Sequence, residues 1–462
     1  MSLSVHLVIL FAGLALAVFA TSLDETIVAV AAVNISDEFN SFNLYDWVTV
    51  SYLISLTGVQ PLYGQISDVV GRKGPMMTAV AVFFAANAAC AWSQSMVSLI
   101  IYRTIGGIGG GGMTGLSFVI VADLFPIDER PRYQGILMSG VGVAMALGPV
   151  LGGVLTHVAS WRWCFWTIMP FAGITFLIIA FIKLPSPTTQ PTRNPAEVHS
   201  RRDRAGMIIR DLCGIDWLGA SLIMCSVTCL IVPLTHGGNQ WPWSSVQVIL
   251  LLSVAVISAT GLILLELFVL KDAALVPVRF LKNNALVMAW LNLFVYNVLF
   301  MALLYYLPIW FQVVQGYSST ETGLFLLPLV CGLVLVGISF SPLLRLASLI
   351  KATLHLRSKA PRHLLLFVGC TFFLLATTLM ATELKSAPMA GYVIMALVLG
   401  IGGGMVLQSS FLEAQASVPT TVMFQYLGGA IGLAVAGIIC RQSLTRQLKN
   451  EPEEIIPSDL RQ

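Results

Sequence analysis

Charged side chains are scarce in this 462-residue sequence, at 10% of all residues, whereas hydrophobic residues make up 57%. Soluble globular chains average about 25% charged residues, and a single core cannot bury this much apolar surface. The scarcity of charge therefore excludes an ordinary soluble protein. The formal net charge is only +3, so the sequence also lacks the basic excess expected of a nucleic-acid-binding protein.

Motifs for metal or nucleotide chemistry are missing as well. The eight cysteines form no CxxC pair, and the six histidines show no metal-ligand spacing. The glycine-rich run from Gly106 to Gly112 follows no predicted strand and lacks the GK[ST] ending of a phosphate-binding loop. We therefore predict no cofactor, no metal site, no enzymatic activity and no ATP-driven pump. A membrane-embedded receptor stays open as an alternative class at this point.

The sequence does contain apolar runs of about 20 residues along its whole length, each long enough to cross ~30 Å of hydrocarbon. No basic residues precede the first run, so it predicts a membrane helix rather than a signal peptide. An all-α polytopic membrane protein with about thirteen spans follows. The predicted spans are 5–31, 47–67, 75–93, 97–123, 134–157, 163–184, 213–235, 246–270, 285–308, 322–343, 363–382, 388–411 and 422–440.

The positions of the basic residues predict the orientation in the membrane. Most of the 25 lysines and arginines fall in loops after even-numbered spans, which places those loops and the N-terminus in the cytoplasm. The basic residues after the last span break this rule. Either span 13 does not fully cross the membrane, or a final helix is missing from this chain.

The longest polar stretch, Pro185 to Asp211, reads as a flexible linker between two helical halves. We predict an N-terminal six-helix bundle over 1–184, a cytoplasmic linker over 185–212 and two extra central helices over 213–270. An incomplete C-terminal bundle would cover 271–441, and a polar tail 442–462.

Three ionisable residues in predicted spans are candidate functional groups. Asp24 and Glu25 lie near the end of an apolar span, where burial disfavours a charged carboxylate and suits it to proton uptake and release. We expect one of the two acids at the membrane interface; both could instead be interfacial. Arg103 needs a carboxylate, a carbonyl or water nearby, unless it snorkels to the interface.

Two glycine-containing segments are candidates for conformational roles. The loop after span 2 places an acid before a tight turn and a basic pair, an arrangement suited to ion pairs between bundles or simply to a charged turn. Its residues are Gly64, Asp68, Gly71, Arg72 and Lys73. Glycines and a proline in span 5 predict close packing and a kink, either to seal the cavity or only to pack helices. These residues are Gly140, Gly142, Gly148, Pro149, Gly152 and Gly153.

Aromatic side chains could line a pocket for apolar ligands, although some could equally anchor the chain at the membrane interface. The candidate substrate cavity contains Tyr52, Tyr305, Tyr306 and Gln312.

These segments resemble the major facilitator superfamily, specifically its drug:proton antiporter branch with fourteen spans, which includes fungal toxin and multidrug exporters. The loop from Gly64 to Lys73 resembles the signature loop, and Gly140 to Gly153 the fifth-helix antiporter motif. Supporting strings run from Leu23 to Val28, Trp47 to Leu53, Arg103 to Gly109, Trp161 to Phe165, Tyr305 to Gln312 and Gly323 to Pro328.

The sequence departs from that pattern in four places. Gly106 stands where the family usually has glutamine, and the segment after span 10 lacks the family's second charged turn. Residues between Pro419 and Val422 are fewer than in relatives, which shortens span 13, and no fourteenth span follows.

The resemblance implies two six-helix bundles with two extra central helices, and proton-coupled export of small, largely apolar molecules such as toxins, drugs or secondary metabolites. It assigns proton coupling to Asp24 with Arg103 and gating to the signature loop. It also implies a monomer in the plasma membrane, with the vacuolar membrane as the alternative. A vacuolar or siderophore-type carrier and a truncated, non-transporting paralogue stay open as alternatives.

Overall fold

The computed structural model describes residues 5–41, 44–126, 129–182, 184, 212, 214–238, 241–270, 282–313, 315, 317, 319–353, 361–383, 389–414 and 418–450. These ranges contain thirteen α-helices and no strand, so the predicted all-α architecture is confirmed. The helices are α1 Val5–Glu38, α2 Tyr45–Val70, α3 Lys73–Ala91, α4 Met96–Leu124, α5 Arg130–Val158, α6 Arg162–Phe181, α7 Trp217–His236, α8 Val246–Leu265, α9 Asn284–Val313, α10 Ser319–Thr353, α11 Pro361–Glu383, α12 Met389–Glu413 and α13 Val418–Asn450. The predicted linker over Pro185 to Asp211 lies outside the described residues.

Eleven of these helices are long and apolar enough to cross a membrane, and α10 makes twelve if its two bent parts form one span. The chain is an integral membrane protein. Helix α2 is the one helix of the thirteen that is not apolar enough to be counted as a span. Its polar residues Ser51, Ser55, Thr57 and Gln60 are buried against neighbouring helices and lower its hydropathy. The predicted count of thirteen spans therefore stays a prediction.

The two halves of the chain pack their helices in the same pattern. In the first half α1 packs on α5, and both α2 and α3 pack on α4. In the second half α9 packs on α13, and both α10 and α11 pack on α12. The halves meet mainly where α5 contacts α10 and α13 contacts α2, which are corresponding pairs in the repeated pattern.

The sixth helix has no counterpart in the described part of the second half. Helix α6 packs along α1 and α3, where Ile178 fills the space above Gly13 of α1. The corresponding faces of α9 and α11 are not covered by any helix within the described ranges.

The helices α7 and α8 pack beside the two halves. Helix α7 contacts α2 and α13, and α8 packs mainly on α7. The outer face of α8 exposes Val256, Ile257 and other large apolar side chains, as expected of a helix in contact with lipid.

Two helices in the second half differ from the sequence-based expectation. Helix α10 extends to Thr353, beyond the predicted end at 343, and bends by 68° between Phe325–Phe340 and Pro342–Leu349. Proline removes a backbone donor and clashes with the preceding turn, so Pro342 explains the bend.

Helix α13 is longer than the shortened span predicted over 422–440. It runs from Val418 to Asn450, and its apolar part, Val418–Ile439, is long enough to cross a membrane. The predicted polar tail therefore begins within this helix. As predicted, α13 packs on the second half; Gly428 and Gly432 bring its backbone against the carbonyls of Phe294 and Val298 in α9.

Candidate functional site

A buried ion pair joins α1 to α4 inside the first half. Nη1 of Arg103 lies 2.7 Å from Oδ2 of Asp24, and the two side chains are only 1% and 0% exposed. Nε of Arg103 donates a hydrogen bond to the carbonyl of Val48 at 3.1 Å, and the guanidinium stands 4.2 Å from the ring centre of Tyr52. The structure therefore brings together the two predicted coupling residues and holds them with contacts from α2.

Both acids of α1 face the protein interior, which differs from the expectation that one lies at the membrane interface. Oε2 of Glu25 is buried and has no hydrogen-bond partner among the described residues; the same is true of Oδ1 of Asp24 and Nη2 of Arg103. Glu25 is within electrostatic range of this ion pair and of Tyr426 on α13. The acid cluster thus extends from the core of the first half to the second half.

The predicted signature loop forms its ion pairs within the first half. Arg72 contacts Asp68 at 2.6 Å and Asp123 of α4 at 2.8 Å, and Lys73 donates to the carbonyl of Ala180 at 2.7 Å. Gly71 ends α2 with φ +97°, a backbone conformation that favours glycine. In this structure these contacts fasten the turn between α2 and α3 to α4 and α6, rather than joining the two bundles.

Gly64 provides the contact of this segment with the second half. A Cβ atom at Gly64 would lie 2.8 Å from Cγ of Pro419, the second residue of α13. A larger side chain would therefore push α2 and α13 apart.

A second contact between the halves involves residues that the sequence analysis did not single out. Gly135 of α5 and Gly337 of α10 face each other so closely that a Cβ on Gly337 would lie 2.9 Å from the carbonyl oxygen of Gly135. A Cβ on Gly135 would overlap with the amide of Gln408 on α12. Glycine at crossing points within predicted spans is the only signal that could have indicated this site.

The glycines of the fifth-helix motif divide between two neighbours. Gly148 and Gly152 lie against Thr26 and Ile27 of α1, where an added Cβ would overlap with Thr26 or lie 2.7 Å from the carbonyl oxygen of Ile27. Gly142 instead faces α10, at an ordinary contact distance of 3.4 Å from Leu333.

The rest of that motif shows no comparably close contact. The nearest atom to a Cβ on Gly140 would be a carbonyl 3.9 Å away, Pro149 lies inside α5, and the carbonyl of Gly153 accepts a hydrogen bond from Thr156. The motif therefore packs α5 tightly on α1, while one of its glycines contacts the other half.

A small cavity lies between the halves, with a volume of about 30 Å³ and lining from α5, α9, α10, α12 and α13. Its polar lining includes Asn297, Gln408 and Gln425, and Asn297 donates to the carbonyl of Gln425 at 2.6 Å. Its apolar lining includes Met138 and Phe300. Such a mixture of apolar surface and a few polar groups is typical of small-molecule sites.

The predicted cavity residues are placed differently. Tyr52 is buried against Arg103 in the first half and does not line this cavity. Tyr305, Tyr306 and Gln312 belong to α9, but their side chains lie outside the described part of the structure. The residues that do line the cavity could have been predicted from the neutral amide side chains of Asn297, Gln408 and Gln425 within apolar spans.

An exposed cluster fastens the opposite ends of the first-half helices. Arg162 contacts Oε1 of Glu38 at 2.8 Å, and Nε1 of Trp161 donates to its Oε2 at 2.6 Å. Partial burial acts to raise the pKa of Glu38, but the hydrogen bonds from Arg162 and Trp161 and the charge of Arg162 hold that pKa below its usual value.

Membrane-crossing helices in two similarly packed halves, with a polar cavity between the halves and a buried ion pair inside the first half, are the features of a membrane transporter rather than an enzyme. A family model described as the Major Facilitator Superfamily matches residues 14–438. The chain belongs to this superfamily, whose members carry small molecules.

Similar proteins include several fungal efflux pumps. The chain is 31% identical over 461 residues to the MFS-type efflux pump MFS1 of Arthroderma benhamiae, covering 98% of this chain and 81% of that protein. It is 31% identical over 463 residues to the efflux pump dotC of Dothistroma septosporum, covering 96% and 73%. It is 30% identical over 449 residues to the efflux pump aunC of Aspergillus niger, covering 96% and 81%.

Solved structures show the same fold. The human organic anion transporter MFSD10 has a TM-score of 0.55 and 17% identity, covering 94% of this chain and 91% of that chain. The proton:xylose symporter XylE has a TM-score of 0.54 and 16% identity, covering 96% and 88%.

Proposed function

We propose that this protein exports small, largely apolar molecules, such as toxins, drugs or secondary metabolites, in exchange for protons. The observation that carries the proposal is the buried Asp24–Arg103 pair beside Glu25, close to the boundary between the halves. Similarity over nearly the whole chain to proteins named efflux pumps supports export as the direction. We place the protein, acting as a monomer, in the plasma membrane.

The small size of the central cavity supports a mechanism in which the halves move. A volume of about 30 Å³ holds little more than a water molecule, so a drug-sized compound requires the halves to separate. The contacts at Gly64 and Gly135 lie near the C-terminus of α2 and the N-terminus of α5. Both helix ends are on the side of the membrane that is expected to face the cytoplasm. Opening these contacts would admit substrate from the cytoplasm, and closing them would allow release on the other side.

Within the acid cluster, we assign the travelling proton to Glu25 and a supporting role to Asp24. Asp24 already has a cationic partner in Arg103, whereas Glu25 has no cation in salt-bridge contact among the described residues. A buried carboxylate without a cation is easier to accommodate as the neutral acid. Protonation of Glu25 would also remove a charge close to Tyr426 of the second half, which links proton binding to the contact between the halves.

Proteoliposomes containing the full chain and a pH-sensitive dye test this assignment. A panel of apolar aromatic compounds is added, and compound-dependent proton flux is recorded for wild type, Glu25→Gln, Asp24→Asn and the control Asp37→Asn. We expect Glu25→Gln to lose flux while compound binding persists, and Asp37→Asn, at an exposed position of the same helix, to keep it.

Asp24→Asn distinguishes the two acids. Loss of flux in Asp24→Asn with wild-type flux in Glu25→Gln would show that Asp24, and not Glu25, carries the transported proton. Wild-type flux in both variants would remove this cluster from the coupling mechanism.

A further inference from the structure

The small cavity between the halves contains two buried polar side chains with unused hydrogen-bonding capacity. Tyr296 of α9 and Gln425 of α13 both line it, and they are only 4% and 6% exposed. Among the described residues, neither the hydroxyl of Tyr296 nor Oε1 of Gln425 has a hydrogen-bond partner. Buried polar groups are normally paired, so two unpaired groups in one cavity indicate a place that a ligand completes.

The hydroxyl of Tyr296 is held in position by the packing of its ring. The ring stacks on Phe300 with 5.4 Å between the ring centres, and it meets the ring of Phe373 edge-on at 5.3 Å. The hydroxyl lies against α12, since a Cβ on Gly403 would be 2.8 Å from it. A hydroxyl that is already fixed loses little freedom when it donates to a ligand, which favours binding.

The amide of Gln425 offers an acceptor in the same cavity. The backbone carbonyl of Gln425 accepts a hydrogen bond from Asn297 at 2.6 Å, which ties α13 to α9 at this point. In the side chain, Nε2 lies 3.8 Å from Sδ of Met138, and a thioether sulfur is only a weak acceptor. Gln425 can therefore accept a hydrogen bond from a ligand through Oε1 without giving up a strong contact.

The size and the apolar lining of the cavity restrict the ligand group that it can take. A volume of about 30 Å³ suits one hydroxyl group or one water molecule. Within the described residues the lining carries no charged side chain, which argues against an ionised group. Around the polar groups lie Met138 and Met145 of α5, Met301 of α9 and the ring of Phe300. Methionine is flexible and its sulfur contacts aromatic rings favourably, so this lining adapts to a planar ring.

We propose that this cavity receives the hydroxyl group of a hydroxylated aromatic compound, so that phenols are the substrate class of the transporter; this inference rests on the proposed export function. Tyr296 donates a hydrogen bond to the substrate hydroxyl, which in turn donates one to Gln425. The aromatic ring lies among the methionines once the halves have separated. A methyl ether can accept but has no proton to donate, and a methyl group does neither.

Competition binding to the purified full chain, without a proton gradient, tests the proposal. Tritiated 2-naphthol is displaced by unlabelled 2-naphthol, 2-methoxynaphthalene or 2-methylnaphthalene, which share one ring system. Free concentrations are measured by equilibrium dialysis, so that uptake by detergent does not set the order. We expect 2-naphthol to compete about tenfold more strongly than 2-methylnaphthalene, the effect of one net hydrogen bond, with the methyl ether between them. Burial of apolar surface alone would instead favour 2-methylnaphthalene.

The variants Tyr296→Phe and Gln425→Met assign the two hydrogen bonds. Tyr296→Phe should remove the advantage of 2-methoxynaphthalene over 2-methylnaphthalene, and Gln425→Met the advantage of 2-naphthol over 2-methoxynaphthalene. Because the hydroxyl of Tyr296 has no partner within the described ranges, Tyr296→Phe should not lower the unfolding temperature. The matched control is Tyr63→Phe in α2, outside the cavity, where all preferences should persist.

The outcomes separate this inference from the coupling mechanism. Equal competition by the three compounds, or an unchanged preference in both Tyr296→Phe and Gln425→Met, would overturn the inference and leave proton-coupled export standing. Lost binding in Tyr296→Phe together with a lowered unfolding temperature would also overturn it, since the hydroxyl would then support the fold. In Glu25→Gln the preference for 2-naphthol should persist without coupled export. A preference for 2-naphthol in a wild-type protein that exports nothing would support the inference and contradict the proposed function alone.

Discussion

At the scale of single residues, Asp24 and Arg103 form a fully buried ion pair inside the first half. Removing one partner of a buried ion pair typically costs about 3–5 kcal/mol, because the other charge is left without compensation. The pair therefore stabilises the fold, and a loss of transport in Asp24→Asn is informative only when folding is measured beside it. Within the described part of the chain Glu25 makes no such pair, so its substitution separates coupling from stability more cleanly.

The charges of Asp24, Glu25 and Arg103 made these residues predictable from the sequence, but their contacts were not predictable. Asp24 and Arg103 stood out because ionisable side chains are rare in apolar spans, yet they are 79 positions apart and only the packing of α1 on α4 joins them. Asn297, Gln408 and Gln425 escaped notice because a neutral amide gives a weaker signal than a charge. One of the two adjacent acids is expected at the interface from the sequence, because nothing in the local sequence shows that Asp24 and Glu25 both face inward.

The Glu38–Arg162 contact predicts a pH dependence of stability. Since the pKa of Glu38 in the folded protein lies below its usual value of 4.5, the ionised side chain stabilises the fold above that pH. The contribution is lost as pH falls through the lowered pKa. The side chain is 45% exposed, so we expect the effect to stay below about 1 kcal/mol.

Thermal unfolding of the purified protein between pH 3 and pH 7 measures this effect. Wild type should exceed Glu38→Gln by a constant margin near neutral pH, and the margin should vanish at the acid end. The control Asp37→Asn changes an exposed neighbouring acid and should show no such pattern. A margin that grows towards low pH would contradict the assignment.

At the scale of helices, the facing glycines of α5 and α10 predict a strong effect of one methyl group. Gly135→Ala would push a Cβ into Gln408 and the backbone of α10, so we expect a destabilisation of about 1–3 kcal/mol together with slower transport. Gly261→Ala on α8 is the matched control, because no atom lies within 4 Å of its added Cβ. Thermal unfolding and export rates of both variants, compared with wild type, decide the matter; equal behaviour of the two would show that the crossing tolerates a side chain.

Helix existence was predictable from apolar runs, whereas helix ends and bends were not. The predicted end of span 10 at 343 marks the point where the sequence becomes less apolar. A helix does not have to end there, because its backbone hydrogen bonds can continue outside the hydrocarbon. Helix α10 continues to Thr353, with a bend at Pro342. In the same way α13 continues to Asn450 through polar residues that the hydropathy pattern assigned to a tail.

At the scale of the molecule, the proposed mechanism is that the protein opens by separating its two halves. The proposal rests on the repeated packing pattern and on the close contacts at Gly64 and Gly135. The resemblance of short motifs indicated the superfamily, because its signature loop and fifth-helix glycines are local in sequence. The repeat itself could be recognised only from which helices touch.

A reversible crosslink between the halves tests this motion. A Cβ on Gly64 would lie 3.1 Å from that of Pro419. In Gly64→Cys with Pro419→Cys, the small outward shift that the added side chain requires would bring the two Cβ atoms towards the separation of about 3.5–4.5 Å found in disulfides. We expect oxidation to join α2 to α13 and stop export, and reduction to restore it. The single variant Gly64→Cys should not respond to oxidant; full export with the crosslink formed would show that these helices do not separate.

The central claim is that a proton gradient drives export. Proteoliposomes with an acidic lumen, made with the full chain, are offered a panel of fluorescent apolar compounds, and accumulation in the lumen is measured with and without a protonophore. We expect at least one compound to accumulate against its gradient in wild type, to lose that accumulation with protonophore, and not to accumulate in Glu25→Gln. Accumulation that persists after the pH gradient is abolished would contradict proton-coupled export.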